Sequence, residues 1–382
     1  MNQKWKMLLI SVLTPSGIIT GLALTVLWGY FSRLDRLDVF FEVMSVKSIF
    51  VLVFLAAMLS LAILLLIFFV ISLFIPVVIP QDINNLPCYE KIQNNLLTVL
   101  MIAGILPVVF IYIFYYMLDI SQTVKDYSGW ISMISIVLMA IIISALLNRK
   151  HLERDLSFKN RKIKWIRRGQ IYLLLPVCIA CLAHLQVFPL EIVFRNISAP
   201  DEKVNFWTLT GLAFICYMLY FVSLLPGLVY LRMDAKSNLQ KKISTSIIAS
   251  LMVLLLISTK ITVVPVIFTH AVMKFSGISD FTAHSYIIKS DEYPEEFFSN
   301  PLWKKSPVKP EQYYAIQAVS MFTTTRFNLL CPLEIIEAYR ESWKFNPWNT
   351  QFDKEVRRKL QKKASYCVPV LASALKRWDV PL

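Results

Sequence analysis

The chain has 382 residues, of which 57% are hydrophobic and 17% charged, with a mean hydropathy of +0.58. A soluble core of this size cannot hide so much apolar surface, so the composition excludes an ordinary water-soluble globular protein and makes lipid part of the solvent. The formal charge of +14 would point to nucleic acid if the basic residues lined a soluble surface, but many of them flank apolar runs, so no nucleic-acid partner is expected.

In chain order, Lys4 and Lys6 precede an apolar run that starts at Met7 and continues past Trp28 without a small-residue cleavage site. This reads as an uncleaved first span rather than a leader. A bilayer core needs about 20 residues of apolar helix, because lipid cannot satisfy exposed backbone groups. Seven stretches qualify: Met7 to Tyr30, Ser48 to Ile75, Leu96 to Leu118, Ser128 to Leu147, Ile171 to Phe188, Phe206 to Leu231 and Ser244 to Val272.

Three features inside these spans carry chemistry. Gly17 and Gly21 form G-x-x-x-G, which admits a second helix from this chain or, in a homo-oligomer, from another copy. Cys178, Cys181 and His184 form C-x-x-C-x-x-H on one helix face, with soft ligands suited to copper or zinc. No fourth ligand is evident, so core packing is the preferred reading and no metal site is expected. Lys260 lies in the seventh stretch, where burying a charge is costly; it is a candidate functional residue, with snorkelling to an interface as the alternative.

Orientation follows from lysine and arginine in the short loops. The amino terminus, the loop from Arg149 to Arg168 and the loop from Arg232 to Lys242 are strongly basic, and all three fall on one side if seven spans are counted. That places the amino terminus inside and the residues from Lys274 onward outside.

From Phe275 to Pro310, prolines alternate with aromatic residues, so a mostly irregular segment is expected there. Helices are expected from Pro310 towards Thr325, from Pro332 to Phe345, after a cap at Asn349 or Thr350, and after Pro369. In the third of these, Phe352, Val356 and Leu360 form an apolar stripe, opposite a basic face of Lys354, Arg357, Arg358, Lys362 and Lys363. Cys331 and Cys367 flank the second and third helices, and an antiparallel hairpin would make them neighbours able to form a disulfide in an oxidising compartment.

No phosphate-cradling loop, G-x-S-x-G or H-E-x-x-H occurs, so no catalytic residue and no cofactor is expected. His270 and His284, with Asp280 nearby, are the residues on which a lipid-directed hydrolase would have to rest. The sequence therefore predicts an all-α, polytopic membrane helix bundle over residues 1–273, carrying a small, mainly helical, extracytoplasmic domain over 274–382. The bilayer is that of a bacterial cytoplasmic (inner) membrane. The expected function is non-enzymatic binding of an extracytoplasmic protein partner, as in an immunity protein against an envelope-acting toxin or an accessory subunit of an envelope assembly. The alternative is a transporter or channel for a small anionic solute.

Overall fold

The structure is a computed structural model that describes residues 15–78, 89–112, 122–155, 165–166, 168–185, 192–193, 196–197, 206–233, 238–298, 301–308, 312–346 and 349–378. Lys4, Lys6, much of the basic loop before Arg168 and Pro310 lie outside the described residues. The helices run α1 (Pro15–Leu34), α2 (Leu37–Val43), α3 (Lys47–Val78), α4 (Tyr89–Tyr112) and α5 (Gln122–Asp155). A π turn at Gln170–Leu174 then leads into α6 (Leu175–Leu185), followed by α7 (Phe206–Arg232), α8 (Leu239–Lys260) and α9 (Val263–Phe275).

Among the described residues, five stretches are long and apolar enough to cross a membrane: Ser16–Leu34, Ser48–Ile75, Met133–Lys150, Ala213–Arg232 and Gln240–Thr259. Their outward faces stay apolar and exposed, as at Trp28, Leu55, Leu146 and Leu255, which suits a lipid environment and makes the chain compatible with an integral membrane protein. The other expected crossings come out differently. The stretch at Ile171 to Phe188 becomes the shorter apolar helix Gln170–Leu185, and Leu96 to Leu118 lies partly outside the described residues. The stretch from Ser244 to Val272 is broken at Ile261 and Thr262. Pro265 accounts for the break, since in a continuous helix its ring would meet the carbonyl of Ile261 and its missing N–H would leave that carbonyl without a donor.

The expected mainly helical C-terminal region is corrected to a mixed α/β fold. A six-stranded antiparallel sheet comprises β1 (Ala283–Lys289), β2 (Lys304–Val308), β3 (Tyr313–Thr323), β4 (Phe327–Cys331), β5 (Val368–Leu371) and β6 (Leu375–Arg377). Two helices, α10 (Ile335–Glu341) and α11 (Thr350–Ala364), sit between β4 and β5. The helices expected after Pro310 and Pro369 are thus strands, and the segment expected to be irregular supplies β1 and β2. β3 reads Tyr-Tyr-Ala-Ile-Gln-Ala-Val-Ser-Met-Phe-Thr, rich in β-formers, and nearly every position is buried, so the alternation that marks a half-exposed strand is missing.

The strand order is β5-β4-β3-β1-β6, with β2 pairing the first half of β3. β5 and β6 occupy opposite ends of that order yet are joined only by the 3-10 turn Ala372–Ala374. So short a link cannot cross a flat sheet, so the sheet curls. Its concave side encloses Tyr286, Ile288, Phe298, Trp303, Tyr314, Ile316, Leu330 and Val370.

By contact, the chain divides into two compact units, one of Met1–Leu64, Asn196–Ser198 and Ser258–Leu382, the other of Leu65–Arg195 and Ala199–Ile257. In the first, a single apolar core runs from α1 (Leu27, Phe31, Leu34) and α9 (Val272, Met273) into β3 and β4 (Met321, Phe322, Leu329) and α11 (Leu360, Ala364). Arginines reinforce it from both sides. Arg33 donates to the Ser342 carbonyl and hydroxyl, and Arg36 donates to the Cys367 carbonyl at 2.5 Å. In return, Arg357 donates to the Ser32 carbonyl at 2.9 Å and Arg326 to the Ser45 hydroxyl at 3.0 Å. The turn that presents Arg36 closes α1 with Asp35 at φ 58°, Asp35 N–H donating to Ser32 O and Arg36 N–H to Phe31 O.

In the second unit, hydroxyl and amide groups join the helices. Tyr220 donates to the Leu100 carbonyl at 2.6 Å, Ser144 to the Ile171 carbonyl at 3.1 Å, Asn95 to Asn148 at 3.0 Å and Ser246 to the Pro226 carbonyl at 2.8 Å. Helices α4 and α7 approach closely at Gly104, where an added Cβ would fall 2.0 Å from the Tyr220 ring. At Gly21, by contrast, no atom lies within 4 Å of an added Cβ, so the G-x-x-x-G of α1 receives no close helix there.

Candidate functional site

A polar cavity of the first unit lies where α9 meets the sheet. It measures about 490 Å³ and is lined by Lys274, Ser279, Asp280, Tyr286, Ser320, Thr323, Asn328 and Arg377, together with Gly277 and Leu375. Two structural devices build it. The chain leaves α9 through a turn with Gly277 at φ 68°, a left-handed conformation that glycine adopts without strain. A shift of register in the β3–β4 pairing between Ser320 and Phe322 then leaves Met321 as an extra residue. Its carbonyl accepts hydrogen bonds from Tyr30 at 2.6 Å and from Ser279. The bulge in turn brings the Ser320 and Thr323 hydroxyls within 2.7 Å of each other.

Asp280, His284 and Arg377 form a polar cluster beside this cavity. His284 Nε2 lies 2.6 Å from an Asp280 carboxylate oxygen and 2.5 Å from the Thr282 hydroxyl, while its Nδ1 lies 2.9 Å from the Arg377 guanidinium. Arg377 also reaches Asp280 at 3.3 Å. Because guanidinium only donates, Nδ1 accepts from it and Nε2 carries the proton given to Asp280. Partial burial raises the Asp280 pKa, but the hydrogen bonds from Thr282 and His284 and the Arg377 charge outweigh it and hold the carboxyl below its usual range.

This cluster does not have the layout of a hydrolytic triad. A triad needs the carboxylate on one ring nitrogen and the nucleophile on the other, whereas here Asp280 and Thr282 crowd Nε2 and the guanidinium occupies Nδ1. His270 lies apart from it, among Phe281, Tyr339 and Trp343 with ring centroids 4.4, 5.7 and 4.7 Å away. Its Nδ1 is buried without a hydrogen-bond partner among the described residues. The histidines singled out in the sequence therefore sit in separate environments.

The remaining sequence candidates fall as follows. Cys331 and Cys367 come together at disulfide-bonding distance, with Cα atoms 4.2 Å apart. The pairing of β4 with β5, in which Leu330 faces Val368, brings them there as much as the packing of α10 on α11 does. Asn349 caps α11 by accepting from Gln351 N–H and Phe352 N–H, and Val356, Leu360 and Ala364 turn inward. On the other face, Arg357 is tied to α1 and Lys363 pairs with Glu334, while Lys354, Arg358 and Lys362 stand exposed.

Cys178 and Cys181 are free thiols, and no group of three or more His, Cys, Asp or Glu side chains gathers at a metal-binding distance among the described residues. Lys260 is the last residue of α8, directly before the break at Ile261. Asn196 and Ile197 pair with the C-terminal domain, where Phe345 N–H donates to the Asn196 carbonyl at 2.8 Å.

Sequence reasoning passed over Lys274, Ser320, Thr323, Asn328 and Arg377. Nothing in their spacing relates them; only the curled sheet does. No protein-family model, no curated protein and no solved structure matches this chain.

Proposed function

We propose that the protein is an integral protein of a bacterial cytoplasmic membrane whose C-terminal domain stands on the outer side and binds a macromolecular envelope partner without catalysing a reaction. Within that class, it acts as an immunity protein against an envelope-acting toxin or as an accessory subunit of an envelope assembly. The observation that carries the reading is the exposed cationic row Lys354, Arg358 and Lys362 on α11, whose opposite side is locked into the core of the unit. Such a row meets an acidic protein surface and speeds encounter with it.

The proposed topology has seven crossings: α1, α3, α4, α5, the π turn with α6, α7, and α8 continued by α9. Contacts of three connecting segments with the C-terminal domain support it. Ser45 bonds Arg326, Asn196 bonds Phe345, and α9 leads directly into the turn before β1. Contact with one domain is consistent with these segments sharing one side, as they do in the proposed topology, which has an even number of crossings between residues 47 and 196 and again between 197 and 275.

Photo-crosslinkers placed at residues 354 and 362 in living cells test the reading. The expected result is a discrete envelope-protein adduct that disappears when Lys354, Arg358 and Lys362 are all replaced by Glu while the folded yield is unchanged. Absence of any protein adduct, or an adduct indifferent to the charge reversal, would sink the proposal.

A further inference from the structure

The cavity beneath α9 has the composition of a ligand site, and we infer that it binds a phosphate-bearing polyol. The phosphate would be taken by Lys274 and Arg377 and a hydroxyl group by Asn328. The charge balance comes first. Two cations line the cavity against the single carboxylate of Asp280, which is already engaged by His284 and Arg377. Lys274 is exposed in the last turn of α9, and paired Lys and Arg donors are the usual means of holding a phosphate.

The inner wall supplies the second half of the argument. Ser279, Ser320 and Tyr286 are buried, at 2%, 3% and 5% exposure, and line the space with hydroxyls. Asn328 Oδ1 is buried with no hydrogen-bond partner among the described residues. An orphaned acceptor in a polar cavity requires a donor, which a polyol hydroxyl supplies and a bare phosphate dianion does not. A volume of about 490 Å³ accommodates a group of this size.

The position of the cavity indicates where such a ligand is met. Lys274 ends an apolar helix, so the opening stands at the level where apolar chain gives way to polar chain, the level of lipid headgroups. A phosphoglycerol headgroup and a soluble polyol phosphate share the required chemistry.

Isothermal titration calorimetry on the full-length protein in a neutral maltoside detergent separates the outcomes. The probes are glycerol 3-phosphate and dihexanoyl phosphatidylglycerol, with glycerol and dihexanoyl phosphatidylcholine as controls. Saturable binding of at least one phosphate-bearing probe is expected, weakened about tenfold or more by Lys274→Gln and by Asn328→Asp, each with unchanged thermal unfolding. Binding of the lipid alone assigns the ligand to the membrane, and binding of both assigns it to the phosphoglycerol unit itself. No saturable binding of either probe, phosphatidylcholine binding as tightly as phosphatidylglycerol, or affinities unchanged in both variants would overturn the inference. Lys274 is exposed at the end of α9, so its substitution keeps the test decisive even if Asn328→Asp unfolds.

Discussion

The two compact units are held together by different physics. In the second unit, helices are joined by hydroxyl and amide hydrogen bonds and by a close approach at Gly104. The first unit adds arginines, a curled sheet and a cystine to a continuous apolar core. In lipid, helix association gains little from hiding apolar surface, so van der Waals fit and uncharged hydrogen bonds carry it. Where water is near, apolar burial becomes favourable and charge can be solvated on one side while it donates on the other.

The largest effect expected from breaking this contrast is loss of the cystine. Cys331 and Cys367 are separated by 36 residues. Replacing both with Ser should cost about 3 to 4 kcal/mol on the chain-entropy account. Thermal unfolding followed at α1 should fall together with that followed at the sheet, because they share a core. Unfolding of the sheet with α1 unaffected would contradict that shared core.

Next in size, Gly104→Ala in the second unit drives a methyl into the Tyr220 ring and should destabilise by about 1 to 3 kcal/mol. Adding Tyr220→Ala should restore part of that loss, a coupling measurable by a double-mutant cycle. The same alanine at Gly21, where nothing lies within 4 Å, should be neutral or slightly favourable within this chain.

Arg36→Ala removes donors to the Cys367 carbonyl and to Asp38, the latter at 2.8 Å, and should cost about 1 to 3 kcal/mol. Arg36→Lys should recover only a part of this, since an ammonium cannot reproduce the forked contact.

The smallest effect is on pH. Hydrogen bonds from Thr282 and His284 and the charge of Arg377 hold the Asp280 pKa below its ordinary value of 3.8. A depressed carboxylate stabilises the fold at pH above its unfolded pKa, and that contribution is lost as pH falls through the folded one. The unfolding midpoint should therefore drop more steeply in the wild type than in Asp280→Asn as pH is lowered below about 4. Parallel pH profiles would show that the cluster contributes nothing to stability.

Much of this molecule was legible one residue at a time. Apolar runs such as Ser48 to Ile75 announce themselves because a lipid-facing helix needs no partner to justify its composition. The cap at Asn349, the stripe of Val356 and Leu360 and the outward lysines of α11 follow from the 3.6-residue period. The pairing of Cys331 with Cys367 was also within reach, although the strands that bring the thiols together were not.

The sheet itself escaped because β3 is buried on both faces and alternation is erased where both faces are covered. Pro307 reads as disfavouring regular structure and Pro369 as preceding a helix, yet Pro307 lies in β2, whose pairing is to β3 alone, and Pro369 in β5, whose pairing is to β4 alone; a strand paired on one side tolerates a missing N–H on the other.

The sequence by itself determined the apolar helices and the polar, cysteine-bearing C-terminal region, because hydrophobicity and helical period are local properties of the chain. Only the tertiary structure decided that α1 and the sheet share one core, that four arginines lock them together, and that Lys274, Asn328 and Arg377 border one cavity. Those relations join residues roughly 50 to 330 positions apart, through a register shift and a curled sheet whose geometry no short segment encodes.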